Sequence, residues 1–136
     1  MKNSLFNSGE YYDLFYKDKD YETESKCVHQ KLIDNKVEGK RLLELGCGTG
    51  KHARIFSQFG YKILGIEQSV SMINYAQKIE NFECIKGDIR KIKLEEKFDS
   101  VISLFHVISY QTTNADIVSV FKTAYDNLKE NGLFIF

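Results

Sequence analysis

The sequence predicts an open α/β fold, a doubly wound parallel sheet with helices on both faces, formed by a single domain. Three observations predict it. Short apolar, β-branched runs alternate with longer stretches of helical spacing, the pattern of βαβ units. Punctuation comes from glycine and Asn/Asp clusters, since proline is absent. The 136 residues, 43% of them hydrophobic, suffice for one core and contain neither a repeat nor a linker that would divide it.

The elements follow in order. Tyr11, Tyr12, Phe15 and Tyr16 make an aromatic stretch, read either as a lid over a ligand or as an amphipathic helix covering the sheet. Lys17 to Asp20 is a solvated turn. Asp20 can cap a helix that carries Val28, Leu32 and Ile33 on one face and ends near Gly39, so residues 1–39 form a helical cap on a core of residues 40–136. The first strand is Arg41 to Leu45. A helix after the glycine loop turns Ala53, Ile55, Phe56 and Phe59 inward, wholly or in part, and stops at Gly60. The second strand is Lys62 to Glu67, and Ser69 caps a helix with Met72, Ile73 and Ala76. Phe82 to Lys86 is the third strand and Phe98 to Leu104 the fourth. Ile117, Val118, Phe121, Ala124, Tyr125 and Leu128 recur at helical spacing. The Glu130-Asn131-Gly132 turn then releases the chain into a fifth strand, Leu133 to Phe136.

Composition narrows the partners. Lys plus Arg and Asp plus Glu both number 19, so no net field draws the chain to nucleic acid or to an anionic membrane, and a small-molecule partner fits better. No apolar run approaches the roughly 20 residues of a membrane span, and no leader pairs basic residues with an apolar run, which implies a cytoplasmic protein. Cys27, Cys47 and Cys84 are scattered without metal-ligand spacing. They imply no zinc or other metal site and no disulfide framework, but buried free thiols, with Cys47 read as a small residue filling a tight turn in preference to a reactive thiol in a loop leading to a helix N-terminus. His29 and His52 read as surface residues on helices.

The segment Gly46-Cys47-Gly48-Thr49-Gly50-Lys51 follows an apolar strand containing Glu44. A phosphate-binding P-loop needs four residues between its glycine and Gly-Lys, then Ser or Thr. Only Cys47, Gly48 and Thr49 lie between Gly46 and Gly50, and His52 follows Lys51. The dinucleotide fingerprint needs glycine where Lys51 stands. What remains is a loop that passes close to a ligand lacking phosphates at that point. Glu67 ends the next strand, roughly 20 residues on, where an acid can accept from both hydroxyls of a ribose. Gly87-Asp88 follows the third strand on the same carboxyl edge, where Asp88 can accept from an exocyclic amine.

These residues resemble the class I S-adenosylmethionine-dependent methyltransferases, from Arg41 to Phe136. The resemblance implies a Rossmann-like sheet in strand order 3-2-1-4-5, lacking the family's last two strands, in a chain that is either C-terminally truncated or an unusually short member. It implies that Gly46, Cys47, Gly48 and Gly50 line the methionine moiety of S-adenosylmethionine and that Glu44 orients its amino group. Glu67 would hold the ribose, while Gln68, Met72, Gly87, Asp88 and Ile89 surround the adenine. Leu104, Phe105 and His106 would close the pocket near the methyl group, with Tyr12 contributing from the cap. Tyr12-Asp13-Leu14, Lys19-Asp20-Tyr21 and Leu104 to Tyr110 are similar to the branch containing amino-sugar N-methyltransferases.

The implied reaction transfers a methyl group to a small-molecule amine or hydroxyl and leaves S-adenosylhomocysteine. His106 is its one titratable candidate base. Two other readings stand beside it: a cofactor-binding module without turnover, and an NAD-dependent oxidoreductase, which Lys51 disfavours. An uncovered fifth strand would be an edge through which copies self-associate.

Overall fold

The computed structural model describes residues 20–76, 78–104, 111 and 113–136. They form helix α1 (Tyr21–Asp34), strand β1 (Arg41–Leu45), helix α2 (Lys51–Gln58), strand β2 (Lys62–Glu67), helix α3 (Val70–Ala76), strand β3 (Phe82–Lys86), strand β4 (Phe98–Ile102), helix α4 (Asn114–Asp126) and strand β5 (Leu128–Ile135). The strands make one parallel sheet in the order β3-β2-β1-β4-β5. The chain therefore steps outward from β1 through β2 to β3, then returns to the other side of β1, leaving a topological switch at the carboxyl end of β1 and β4.

Alternation along the strands builds two cores. Leu42, Ile63 and Ile102 face Val28 and Leu32 of α1 and Ala53 and Phe56 of α2. Leu43, Leu45, Leu64, Ile66, Phe98 and Val101 face Val120 and Ala124 of α4. Successive strand residues point to opposite faces, so Glu44 shares the α2 face with Leu42. That placement puts an acid in the interior.

The first three strands lie where the sequence puts them, while several helix faces and ends differ. Helix α1 begins at Asp20, whose Oδ1 accepts the Thr23 N–H at 2.9 Å. It ends at Asp34, short of Gly39, because Lys36 turns left-handed (φ 61°) and Val37 N–H donates to Leu32 O at 3.0 Å. Ile33 is 51% exposed rather than on the buried face. In α4 the buried residues are Val120, Thr123 and Ala124, whereas Val118 and Tyr125 are exposed. Of the expected repeat, Ala124 is buried and Ile117 and Phe121 are half-buried, while Thr123 takes a buried place with its hydroxyl donating to Ser119 O.

Leu128 belongs to β5 rather than to the helix, pairing with Phe98. The Glu130-Asn131-Gly132 turn lies inside β5 as an irregularity between the Phe98↔Leu128 and Ser100↔Leu133 pairs, with Asn131 at φ 65°. Strand β4 ends at Ile102, although Ser103 N–H still donates to Ile135 O at 3.0 Å. Among the described residues no helix is long and apolar enough to cross a membrane.

Candidate functional site at the carboxyl edge of the sheet

The loop between β1 and α2 turns on three glycines in the left-handed region: Gly46 (φ 75°), Gly48 (φ 57°) and Gly50 (φ 83°). A side chain at any of them would be strained, so the spacing is a backbone requirement. Gly46 and Cys47 both donate to Ile66 O, at 2.8 and 3.1 Å, which ties the loop to β2. Two wider surface clefts among the described residues lie away from this loop. One is beside Lys36 to Gly39 and the β5 turn, the other along α4 and the segment after Arg90.

Glu67 closes the second tie. Its Oε1 accepts Gly48 N–H at 2.8 Å, and its Oε2 accepts Gln68 N–H at 3.0 Å and Ser69 N–H at 2.9 Å. An ionised carboxylate offers about four acceptor sites. Three are filled by backbone here. Glu67 therefore braces the loop in this structure, and gripping both hydroxyls of a ribose would require it to release one of these amides.

Glu44 lies beneath the loop, 1% exposed, and its Oε1 has no hydrogen-bond partner. Its Oε2 is 3.6 Å from His52 Nδ1, and His52 Nε2 is 2.8 Å from Glu24 Oε1 on α1. Burial is the main reason the Glu44 carboxyl titrates well above the ordinary glutamate range, with the nearby Cys84 and Glu67 charges adding to it. A cation presented to Oε1 would relieve that cost.

His52 is thus not a surface residue, and at 5% exposure it links α1 to the floor of the loop, with the Tyr21 ring edge-on at 4.9 Å between centroids. Tyr21, Gly46, Cys47, Thr49, His52 and Leu104 line one small cleft. The sequence reading missed Tyr21, Glu24, Thr49 and His52. For His52 a signal existed: it stands one turn before Phe56 on the buried stripe of α2. His29 is also half-buried, stacked on Phe59 at 4.4 Å with Nδ1 2.9 Å from the Tyr61 hydroxyl.

The expected adenine side is assembled less completely. Asp88 and Gly87 follow β3 on the same edge, but the Asp88 carboxylate is taken by Arg90, whose Nη2 lies 2.7 Å away and whose backbone N–H donates at 2.9 Å. The Arg90 hydrogen bond holds the Asp88 carboxyl below its usual range. Met72 is buried in α3, Gln68 is exposed, and Ile89 packs against the α4-side core. Leu104 is buried in the α2-side core and reaches the cleft. Tyr12, Phe105 and His106, with the rest of the aromatic stretch, lie outside the described residues.

The cysteines divide three ways: Cys27 is exposed, against the expectation of burial, Cys84 is half-buried and Cys47 is buried.

With this geometry in view, a family model described as a methyltransferase domain matches residues 42–132, from β1 into β5. The chain belongs to the methyltransferase domain family. Among curated relatives, a dTDP-3-amino-3,4,6-trideoxy-alpha-D-glucopyranose N,N-dimethyltransferase of Streptomyces venezuelae is 29% identical over 127 residues, covering 91% of this chain and 54% of its own length. A putative methyltransferase of Bacillus subtilis is 31% identical over 104 residues, covering 73% of this chain and 42% of its own. The SAM-bound amino pentose methyltransferase of Micromonospora echinaspora superposes with a TM-score of 0.81 at 25% identity, covering 87% of this chain and 51% of that one. The chain spans about half the length of the relatives it matches. Membership of the methyltransferase family accounts for the Rossmann-like strand order.

Proposed function

We propose that this chain carries the cofactor-binding part of an S-adenosylmethionine-dependent methyltransferase acting on a small-molecule amine, an amino sugar foremost. The observation that carries the reading is the buried Glu44 Oε1 without a donor beneath three left-handed glycines. The ammonium of the methionine moiety supplies the missing donor and charge. The likeness to amino-sugar N,N-dimethyltransferases supports the acceptor class.

The bound cofactor supplies a methyl group on a sulfonium that is already activated for in-line displacement. The protein has to align and desolvate. Gly46, Cys47, Gly48 and Gly50 hold the methionine end, Glu44 fixes its ammonium, and Glu67 exchanges a backbone amide for the ribose. Gln68, Met72, Gly87, Asp88 and Ile89 flank the adenine, and Tyr12, Leu104 and Phe105 shield the methyl group from water. His106 is the base for an acceptor that must lose a proton, and the segment before β1 is a cap on the core. The protein acts in the cytoplasm, and β5, at the sheet's edge, is a strand through which copies pair.

Isothermal calorimetry with S-adenosylhomocysteine tests the cofactor claim, and absence of binding sinks it. Turnover on a panel of amino sugars and other amines then separates the enzyme from a binding module. NADH titration by fluorescence tests the oxidoreductase reading, for which no binding is expected. Light scattering reads self-association, and a monomer overturns it.

A further inference from the structure

The strongest unused chemistry lies under the loop. Cys47 Sγ and Cys84 Sγ are 3.1 Å apart. They come from opposite sides of β2: Cys47 follows β1, while Cys84 stands on β3 in register with Gly65 of β2. The bare Cα of Gly65 makes the meeting possible, since a Cβ there would sit 2.6 Å from Cys47 Sγ and 2.8 Å from Cys47 Cβ. A disulfide needs its sulfurs at about 2.05 Å, so closure asks for a movement of about 1 Å.

We propose that Cys47 and Cys84 are an oxidisable dithiol that a hydroperoxide closes into a disulfide, locking the glycine loop to the edge strand β3. The half-buried Cys84 reacts first. Its sulfur attacks the O–O bond of the peroxide, giving a sulfenic acid and releasing one water, or an alcohol from an organic peroxide. The Cys47 sulfur then attacks the Cys84 sulfur. The S–S bond forms, the S–O bond breaks, and the hydroxide leaves as water with the Cys47 proton. Two thiols lose two electrons and one peroxide gains them. The hydrogen bond shared with Cys84, together with burial, pushes the Cys47 thiol up, which keeps it protonated and leaves the first step to Cys84; the 3.1 Å approach of the two sulfurs is what fits Cys47 to the second.

Closure has a mechanical consequence. Gly46 and Cys47 share Ile66 O, and Gly48 is held by Glu67, so a displaced Cys47 drags the whole loop. Resting on the reading that this loop holds the methionine end of the cofactor, the bridged form binds S-adenosylhomocysteine at least tenfold more weakly.

The test is hydrogen peroxide titration of the protein, then non-reducing peptide mass mapping. The expected product lacks two hydrogens and carries a Cys47–Cys84 cross-link that dithiothreitol reverses, with Cys27 free. Cys84→Ser should give no cross-link and keep the affinity of the reduced protein after peroxide. A stable Cys84 mono-oxide, or Cys27-linked dimers in place of the internal bridge, overturns the proposal. Equal affinity of reduced and bridged protein overturns the regulatory part. A reduced protein that binds no cofactor overturns the cofactor reading and the regulation with it, while the mapping still decides the bridge.

Discussion

Gly48 donates its backbone N–H to Glu67 Oε1 at 2.8 Å, so the loop after β1 and the end of β2 are one mechanical unit. Glu67→Ala strips an acceptor from Gly48, Gln68 and Ser69 together. It should lower S-adenosylhomocysteine affinity at least tenfold, about 1.4 kcal/mol, and speed amide exchange at all three residues. Calorimetry and hydrogen exchange check this; unchanged exchange would show that the brace does not operate in solution.

Glu44 gives a pH dependence of known sign. Its carboxyl titrates higher folded than unfolded, so its contribution to stability is greatest below the ordinary glutamate value, about 4.3, and is lost as pH rises through the raised folded value. Glu44→Gln should flatten the stability profile above that range and stabilise the ligand-free protein at neutral pH, yet weaken cofactor binding. Urea unfolding across pH, paired with calorimetry, reads both. In wild type, binding of the ammonium should release a proton, visible as a dependence of the binding enthalpy on buffer.

His52 couples the N-terminal helix to the loop through Glu24. His52→Ala should cost about 1–3 kcal/mol, the range for breaking a buried polar contact. A double-mutant cycle with Glu24→Gln should return a coupling of about 0.5 kcal/mol or more. Additive losses would mean the two side chains do not interact in solution.

Gly65→Ala should be among the more damaging single-methyl additions in the sheet. Its Cβ would lie 2.6 Å from Cys47 Sγ and 2.7 Å from Phe82 Cε1, both packed side chains, so about 1–3 kcal/mol of overpacking is expected. Cys47→Ala should recover part of that loss, which thermal denaturation of the double variant measures.

Arg90→Ala should leave the Asp88 carboxylate without its guanidinium and return its titration towards the ordinary aspartate range. NMR titration of Asp88 checks the direction.

The sequence by itself determined the loop and the first three strands of the sheet. The bounds of β1, β2 and β3, the caps at Asp20 and Ser69, and the glycine spacing are all local: a period of two, a side-chain oxygen three residues ahead of an orphan amide, and glycines at positions where the backbone turns left-handed. Such signals need no knowledge of what packs above them. The interior of the site was decided elsewhere. His52 is buried because Glu44 happens to share the α2 face and Glu24 reaches down from α1. Asp88 is engaged because Arg90 folds back on it. Cys47 meets Cys84, far off in sequence, only because β2 carries a glycine between them. A buried polar or thiol group acquires its chemistry from the partner and the dielectric that the stacked elements supply, and neither is written in its own stretch of chain.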